Sequence, residues 1–346
     1  MVTHARRSLS KVGAILLTAG LCTSPVTAIA QSAAEFYKDK SMAMVIGIAP
    51  GGGYDIAARL LARHMTKQIP GQPNIVAQNM PGGGELNAAN YVVGVAPQDG
   101  TVIAAVVRTV PFLPLYGNTA AKFDPLKLNW LGSPSQEVGL FVSWNGGSNL
   151  TLNDLFAKEV IVGVNIPGSD TSTYANILKH MFDAKLKIVS GYPGSEDIIL
   201  AMQRGEVQAI SNIAWSNIQR RAEWLTEKKV NILLQNGLRK LPDLPDVPVL
   251  IDLARNEEER AILELMLAQT IFGRPYFLAP NVPADRVAFL RQAFMATMSD
   301  REFLAEAKKL KLEIDAVSGE EMQQSIARIY KTPKNLVEKA SAIRTK

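Results

Sequence analysis

The stretch Met42-Ala-Met-Val-Ile-Gly-Ile-Ala-Pro-Gly-Gly-Gly-Tyr-Asp55 decides how this chain is read. Met42 to Ile48 is a continuous apolar run of strand length, which suits a strand buried on both faces of a parallel sheet. It ends in Pro50-Gly51-Gly52-Gly53. From Asp55 the period becomes helical, with Ile56, Leu60, Leu61 and Met65 on one side, and it stops at Pro70-Gly71. Asp55 is well placed to cap that helix.

The unit then recurs. Ile75 to Gln78 reads as a strand, Pro81-Gly82-Gly83-Gly84 as a second glycine loop and Glu85 to Val93 as a helix, and Thr101 to Val107 is a third strand. Strand, glycine loop and helix, twice over, is α/β architecture with a mainly parallel sheet. A second set follows: strands at 139–143, 160–165, 187–190 and 207–213, and helices after Pro167-Gly168-Ser169 and Tyr192-Pro193-Gly194-Ser195. A strand at 231–234 leaves this set, and Leu241-Pro242-Asp243 opens an irregular connector. The remainder is helical over 256–269, 284–298, 300–310 and 318–330, the last with the capping box Ser318-x-x-Glu321.

Outward from this centre, the chain of 346 residues is too long for one ordinary core and, at 47% hydrophobic, too apolar for disorder. Its first thirty residues have the parts of a secretory signal peptide: basic Arg6, Arg7 and Lys11, an uncharged run from Val12 to Leu21, and small residues up to Ala30. The apolar run is half the length of a spanning helix. The formal charge of +5 falls to +2 without this segment, which removes the motive for a nucleic-acid partner. The single Cys22 goes with it, so a disulfide scaffold and a Cys-His nucleophile are both excluded. His64 and His180, on helical stretches, are expected to be exposed and to hold no metal, and no G-x-S-x-G elbow occurs.

A strand that turns through glycines into a helix presents unpaired backbone N–H groups and the positive end of the helix dipole, which suits an anion. Neither loop carries the Gly-Lys-Ser/Thr of a phosphate loop or the third glycine of a dinucleotide fingerprint. Neither contains a lysine or arginine, so a small carboxylate is the more economical ligand. Arg108, after the third strand, is the basic residue best placed to meet a second acidic group. Phe112 and Trp215 are candidates for an apolar pocket wall or for plain core.

These residues closely resemble the extracytoplasmic solute receptors of tripartite tricarboxylate transporters, the Bug receptors. The resemblance rests on Pro50 to Asp55, Ile69-Pro70-Gly71-Gln72-Pro73, Asn79 to Gly84 and Ala88-Ala89-Asn90-Tyr91. It runs on through Pro167-Gly168-Ser169, Tyr192 to Ser195, Leu241-Pro242-Asp243 and Pro280 to Arg286, to Val317-Ser318-Gly319-Glu320. It implies a two-lobed periplasmic binding protein of the second type, with two crossing strands as hinge and clamshell closure on a small organic carboxylate. The lobes would be residues 31–138 with 235–346, and 139–234. Carried over, the ligand-binding positions are Gly52, Gly53, Tyr54 and Asp55 on the first loop, Gly83 and Gly84 on the second, and Ser169, Thr171, Gly194 and Ser195 from the second lobe, with Arg108 and Trp215 added from the reading above. Asp170 departs from the family, where a Gly often follows Pro-Gly-Ser, and Pro193 stands where Lys is common.

The resemblance implies a periplasmic, non-enzymatic monomer without cofactor or metal, delivering its ligand to membrane subunits. The same fold could instead serve a sensor kinase. An α/β enzyme acting on a carboxylate is the rival from another class, and it lacks a triad, a metal cluster and nucleotide motifs in this sequence.

Overall fold

After a short helix at Ala33–Tyr37 (α1), the opening apolar run forms the strand Ser41–Ile46 (β1), with Met44, Val45 and Ile46 buried. The computed structural model describes residues 1–2, 33–83, 86–146, 149–165 and 167–345, so the expected signal peptide and Gly84 lie outside the described residues. Helix Gly53–Met65 (α2), strand Asn74–Asn79 (β2), helix Leu86–Gly94 (α3) and strand Val102–Ala105 (β3) complete the repeated unit. β1 pairs in parallel with β2 on one side and β3 on the other, as consecutive strand-helix-strand units require. On α2, Leu60, Leu61 and Met65 are buried and contribute about 1.5–3 kcal/mol each. Ile56 is exposed although Asp55, Ala57 and Ala58 beside it are buried, because it turns toward an open cleft and away from the core.

Strand Asn129–Ser133 (β4) joins the same sheet, and the chain then crosses to a second one. That sheet and its helices are Gly139–Trp144 (β5), Asp154–Ala157 (α4), Val160–Gly163 (β6), Asp170–Met181 (α5), Leu186–Val189 (β7), Ser195–Gln203 (α6), Ala209–Ala214 (β8), Trp215–Gln219 (α7), Ala222–Thr226 (α8) and Val230–Asn236 (β9). The strand order is β7-β6-β8-β5-β9, parallel among β7, β6 and β8 and antiparallel at β5 and β9.

After helix Glu257–Leu267 (α9) the chain returns to the first sheet as Tyr276–Leu278 (β10). Helices Ala284–Met298 (α10) and Arg301–Lys309 (α11), strand Val317–Ser318 (β11) and helices Gly319–Ile329 (α12) and Lys334–Thr345 (α13) follow. The first sheet runs β11-β4-β10-β3-β1-β2, antiparallel at each pairing made by β10 and β11. Both sheets are therefore mixed: strands linked through a helix run parallel, and strands delivered by a crossing of the chain run antiparallel.

β4, β10 and β11 are too short for a periodic signal. Pairing with neighbours, and burial such as that of Trp130 against Phe277 at 5.3 Å between ring centroids, makes them strands. The capping box forms as read, with Glu321 N–H donating to Ser318 Oγ at 3.2 Å and Ser318 N–H to Glu321 Oε2 at 2.9 Å. α10 and α11 pack on α2, whereas α9 and α13 pack on the second sheet's side, burying Ile262, Met266, Val337 and Ala340 with Tyr174 and Leu178 of α5. Among the described residues no helix is long and apolar enough to cross a membrane.

Candidate ligand-binding cleft

The first glycine loop owes its shape to two residues. Gly51 sits at φ +91°, a region open to glycine and costly for residues with a Cβ. Gly52 is the N-cap of α2 in extended conformation, with no side chain to cap the helix. The first N–H groups of α2, those of Gly53 and Tyr54, consequently have no intrahelical partner.

Asp55 is the third residue of the helix rather than its cap. Its carboxylate is buried and accepts from Gly51 N–H at 2.8 Å, Arg59 Nε at 2.9 Å and Asn79 Nδ2 at 2.8 Å. Asn79 Nδ2 also donates to Ile48 O at 2.9 Å, so Asp55 ties the first loop to the end of β2. Burial pushes the Asp55 carboxyl up, but the hydrogen bonds from Arg59, Gly51 and Asn79 outweigh it and hold the group below the usual carboxylate range.

Gly53 and Tyr54 open onto a cleft of about 830 Å³. Its walls are the crossing segment 135–138, Trp215 and Arg220 at α7, the connector 239–243, Arg274 ahead of β10 and the segment 310–313 after α11. Among the basic residues that line it, Arg220, Arg239, Lys240, Arg274 and Lys311, Arg274 is held at the Tyr54 side. Its Nη1 donates to Ser135 Oγ at 2.6 Å, its backbone N–H donates to Ser133 Oγ at 2.9 Å, and its guanidinium lies 5.8 Å from the centre of the Tyr54 ring. Its Nε is buried without a hydrogen-bond partner, and it makes no ion pair with any described carboxylate.

The acids that line the cleft are committed or strained. Asp243 accepts from Trp215 Nε1 at 3.1 Å, and Asp315 accepts from Gln136 Nε2 at 2.8 Å and Arg239 Nη2 at 3.3 Å. Desolvation, then the nearby Asp315, Asp243 and Glu137, push the Glu313 carboxyl above the usual range, with Arg274 opposing. Burial pushes the Tyr54 phenol up as well, so it stays protonated and able to donate.

Of the residues singled out from the sequence, the cleft brings together Gly53, Tyr54 and Trp215. Gly52 stands just behind them. Gly83, at φ +62°, belongs to a second loop closed on itself by Asn87, whose Nδ2 donates to Pro81 O at 3.1 Å. Ser169 caps α5, and Thr171 Oγ1 accepts from Asn165 N–H and donates to Asn165 Oδ1, both at 2.9 Å. Gly194 and Ser195 form the start of α6. None of these five lines this cleft. Arg108 is ion-paired with Asp170 and, at 3.4 Å, with Glu137.

Phe112 is core, stacked on Phe272 at 5.8 Å. His64 is buried instead of exposed, because α11 packs across α2 and supplies Glu306 at 2.7 Å from Nε2, whereas His180 is exposed. Arg274 and Glu313 were not singled out. The signal for Arg274 was present: a lone arginine in Phe272-Gly273-Arg274-Pro275, immediately before the apolar run of β10, stands at a strand entrance as Arg108 stands at a strand exit.

No protein-family model matches the chain. A UPF0065 protein from the gbd 5′ region of Cupriavidus necator is 26% identical over 349 residues, covering 96% of this chain and 97% of the relative. A TctC solute-binding protein from Polaromonas superposes with a TM-score of 0.70 at 17% identity, over 88% of this chain and 99% of that one.

The fold is that of the TctC and Bug periplasmic binding proteins.

MatC from Rhodopseudomonas palustris, solved with bound malate, shares the same TctC and Bug fold with a TM-score of 0.56 at 18% identity, over 86% of this chain and 99% of its own. Two mixed α/β sheets flanked by helices are the two lobes of this fold. In this fold the cleft draws Gly53 and Tyr54 from the start of α2, Trp215 from the start of α7, and Arg274 from the segment that enters β10.

Proposed function

We propose that the protein is a periplasmic solute receptor that binds a small organic carboxylate and delivers it to the membrane subunits of a tripartite tricarboxylate transporter, without turning it over. One observation carries the reading: Arg274, free of any described ion pair, faces the same cleft as the uncapped start of α2. A guanidinium is a bidentate carboxylate binder, and helix N–H groups add neutral donors aimed at the same charge. The malate held by MatC supports the ligand class, and the binding proteins sharing the fold support the absence of catalysis. The export segment read at residues 1–30 supports the compartment.

In this reading the first lobe comprises residues 31–138 and 235–346 except α9 and α13, and the second comprises 139–234 together with those two helices, which pack on its sheet. The lobes close about the segments joining β4 to β5 and β9 to β10, and closure is what the membrane subunits recognise. Gly52, Gly83, Gly84, Ser169, Thr171, Gly194 and Ser195 form the loops that face the ligand as closure completes. The test is a thermal-shift screen of the purified protein with mono-, di- and tricarboxylates. A stabilising carboxylate is expected, and a panel that leaves the melting temperature unmoved overturns the assignment.

A further inference from the structure

We propose that His64, Asp300 and Glu302 form a zinc site that staples α2 to the start of α11. The site is remote from the cleft lining and independent of the carboxylate reading. One ligand atom from each of the three residues lies within 4.8 Å of the others. The second observation is the state of the imidazole. His64 is 5% exposed, and its Nε2 is 2.7 Å from Glu306 Oε2, which as a carboxylate accepts the ring N–H and fixes the tautomer.

That leaves Nδ1 as a bare lone pair, and it is buried without a hydrogen-bond partner. It faces Asp300 Oδ1 at 3.8 Å, too far for a hydrogen bond. Asp300 caps α11, its Oδ1 accepting from Phe303 N–H at 2.8 Å, and is half-buried; a buried nitrogen lone pair facing this carboxylate calls for a cation between them. Ligand atoms about 2.1 Å from a tetrahedral zinc stand roughly 3.4 Å apart, so His64 and Asp300 need close by only a few tenths of an ångström, while the exposed Glu302 side chain swings in by up to about 1.4 Å.

The donor set is also right in kind. One imidazole nitrogen with two carboxylate oxygens suits zinc, and a metal-bound histidine characteristically gives its other ring N–H to a carboxylate, the part Glu306 already plays. Lys67, now paired with Glu302, must move aside; both side chains are largely exposed and free to do so. The staple would join two elements that both reach the cleft: α2 begins at Gly53, and the chain leaving α11 lines it at 310–313.

The test is a calorimetric and thermal-shift titration of the chelator-stripped full chain with Zn²⁺ alone, beside Co²⁺ followed by its visible d–d bands. One site is expected, with a raised melting temperature. Glu302→Gln, on a side chain 73% exposed and hence harmless to folding, and His64→Gln should each weaken Zn²⁺ binding by at least roughly tenfold, and Glu306→Gln by about 10–100-fold. Absence of binding overturns the site. So does binding that Glu302→Gln and His64→Gln leave unchanged, which would place the ion elsewhere, for instance on Cys22.

Discussion

Arg108, just after strand β3 of the first sheet, donates through Nη2 to the carboxylate of Asp170, the first residue of α5, which follows β6 of the second sheet. Glu137 of the crossing segment lies 3.4 Å from the same guanidinium, and Gln269 Nε2 donates to Asp170 Oδ1 at 3.3 Å. The Arg108 side chain is only 13% exposed. A carboxylate at the start of α5, beside the second sheet, thus satisfies a buried cation that follows β3 of the first.

Breaking this link should loosen the contact between the lobes. Asp170→Asn is expected to cost about 1–3 kcal/mol, less than the 3–5 kcal/mol of a fully buried pair, because Glu137 still neutralises Arg108. Chemical denaturation measures the cost, and small-angle scattering without ligand should show a more open particle. Unchanged stability and dimensions would show that the pair does not hold the lobes.

Arg274→Gln removes the charge and keeps much of the shape. The expected result is carboxylate affinity lowered by about 10–100-fold, from the loss of a charge-assisted hydrogen-bonded pair of about 1.5–3 kcal/mol, with little change in the melting temperature of the ligand-free protein. Calorimetry with the best ligand of the carboxylate panel decides it; an affinity equal to that of the unsubstituted protein excludes Arg274 from the site.

Glu313 gives the cleft a pH dependence. Its folded-state proton affinity is raised by partial desolvation at the cleft wall and by Asp315, Asp243 and Glu137, so protonation favours the fold, and that contribution fades as pH rises through the folded pKa. Protonation also removes a negative charge beside the ligand. Carboxylate affinity should therefore increase from neutral to mildly acidic pH, and Glu313→Gln should flatten the profile. A profile of the same slope in both proteins would assign the dependence to another group.

Asp55 behaves in the opposite sense. Its pKa is lowered in the fold, so its contribution is present above the unfolded value and is lost as pH falls through the folded one. Asp55→Asn should cost about 2–4 kcal/mol at neutral pH, because Gly51 N–H, Arg59 and Asn79 lose a buried charged acceptor. The deficit measured by thermal denaturation should shrink in acid. A deficit constant with pH would mean that the carboxylate charge is not what ties the loop.

The same contrast runs through the whole molecule. The apolar run of β1, the glycines at the first loop, the buried face of α5 and the Ser318–Glu321 capping box are set by neighbours within a turn or a strand, where a side chain's preference acts directly on its own backbone. Even the segment 334–345, not read as a helix, carried Leu336, Val337, Ala340 and Ile343 at helical spacing. The α/β class and the glycine turn from β1 into α2 are therefore legible in the sequence.

Other features depend on residues far apart in the chain and have no local signature. Arg108 and Asp170 are 62 residues apart, and His64 and Glu306 are 242 apart. Arg108, which the sequence offers as a ligand contact, is ion-paired with Asp170 and Glu137. Asp55, which looks like a helix cap, anchors the loop from inside the helix. Arg274, a single arginine between Gly273 and Pro275, faces the cleft without an ion pair to any described carboxylate. Which charge finds a partner is settled by the order in which the sheets bring their edges together, because an ion pair needs only proximity in space and leaves no period in the sequence.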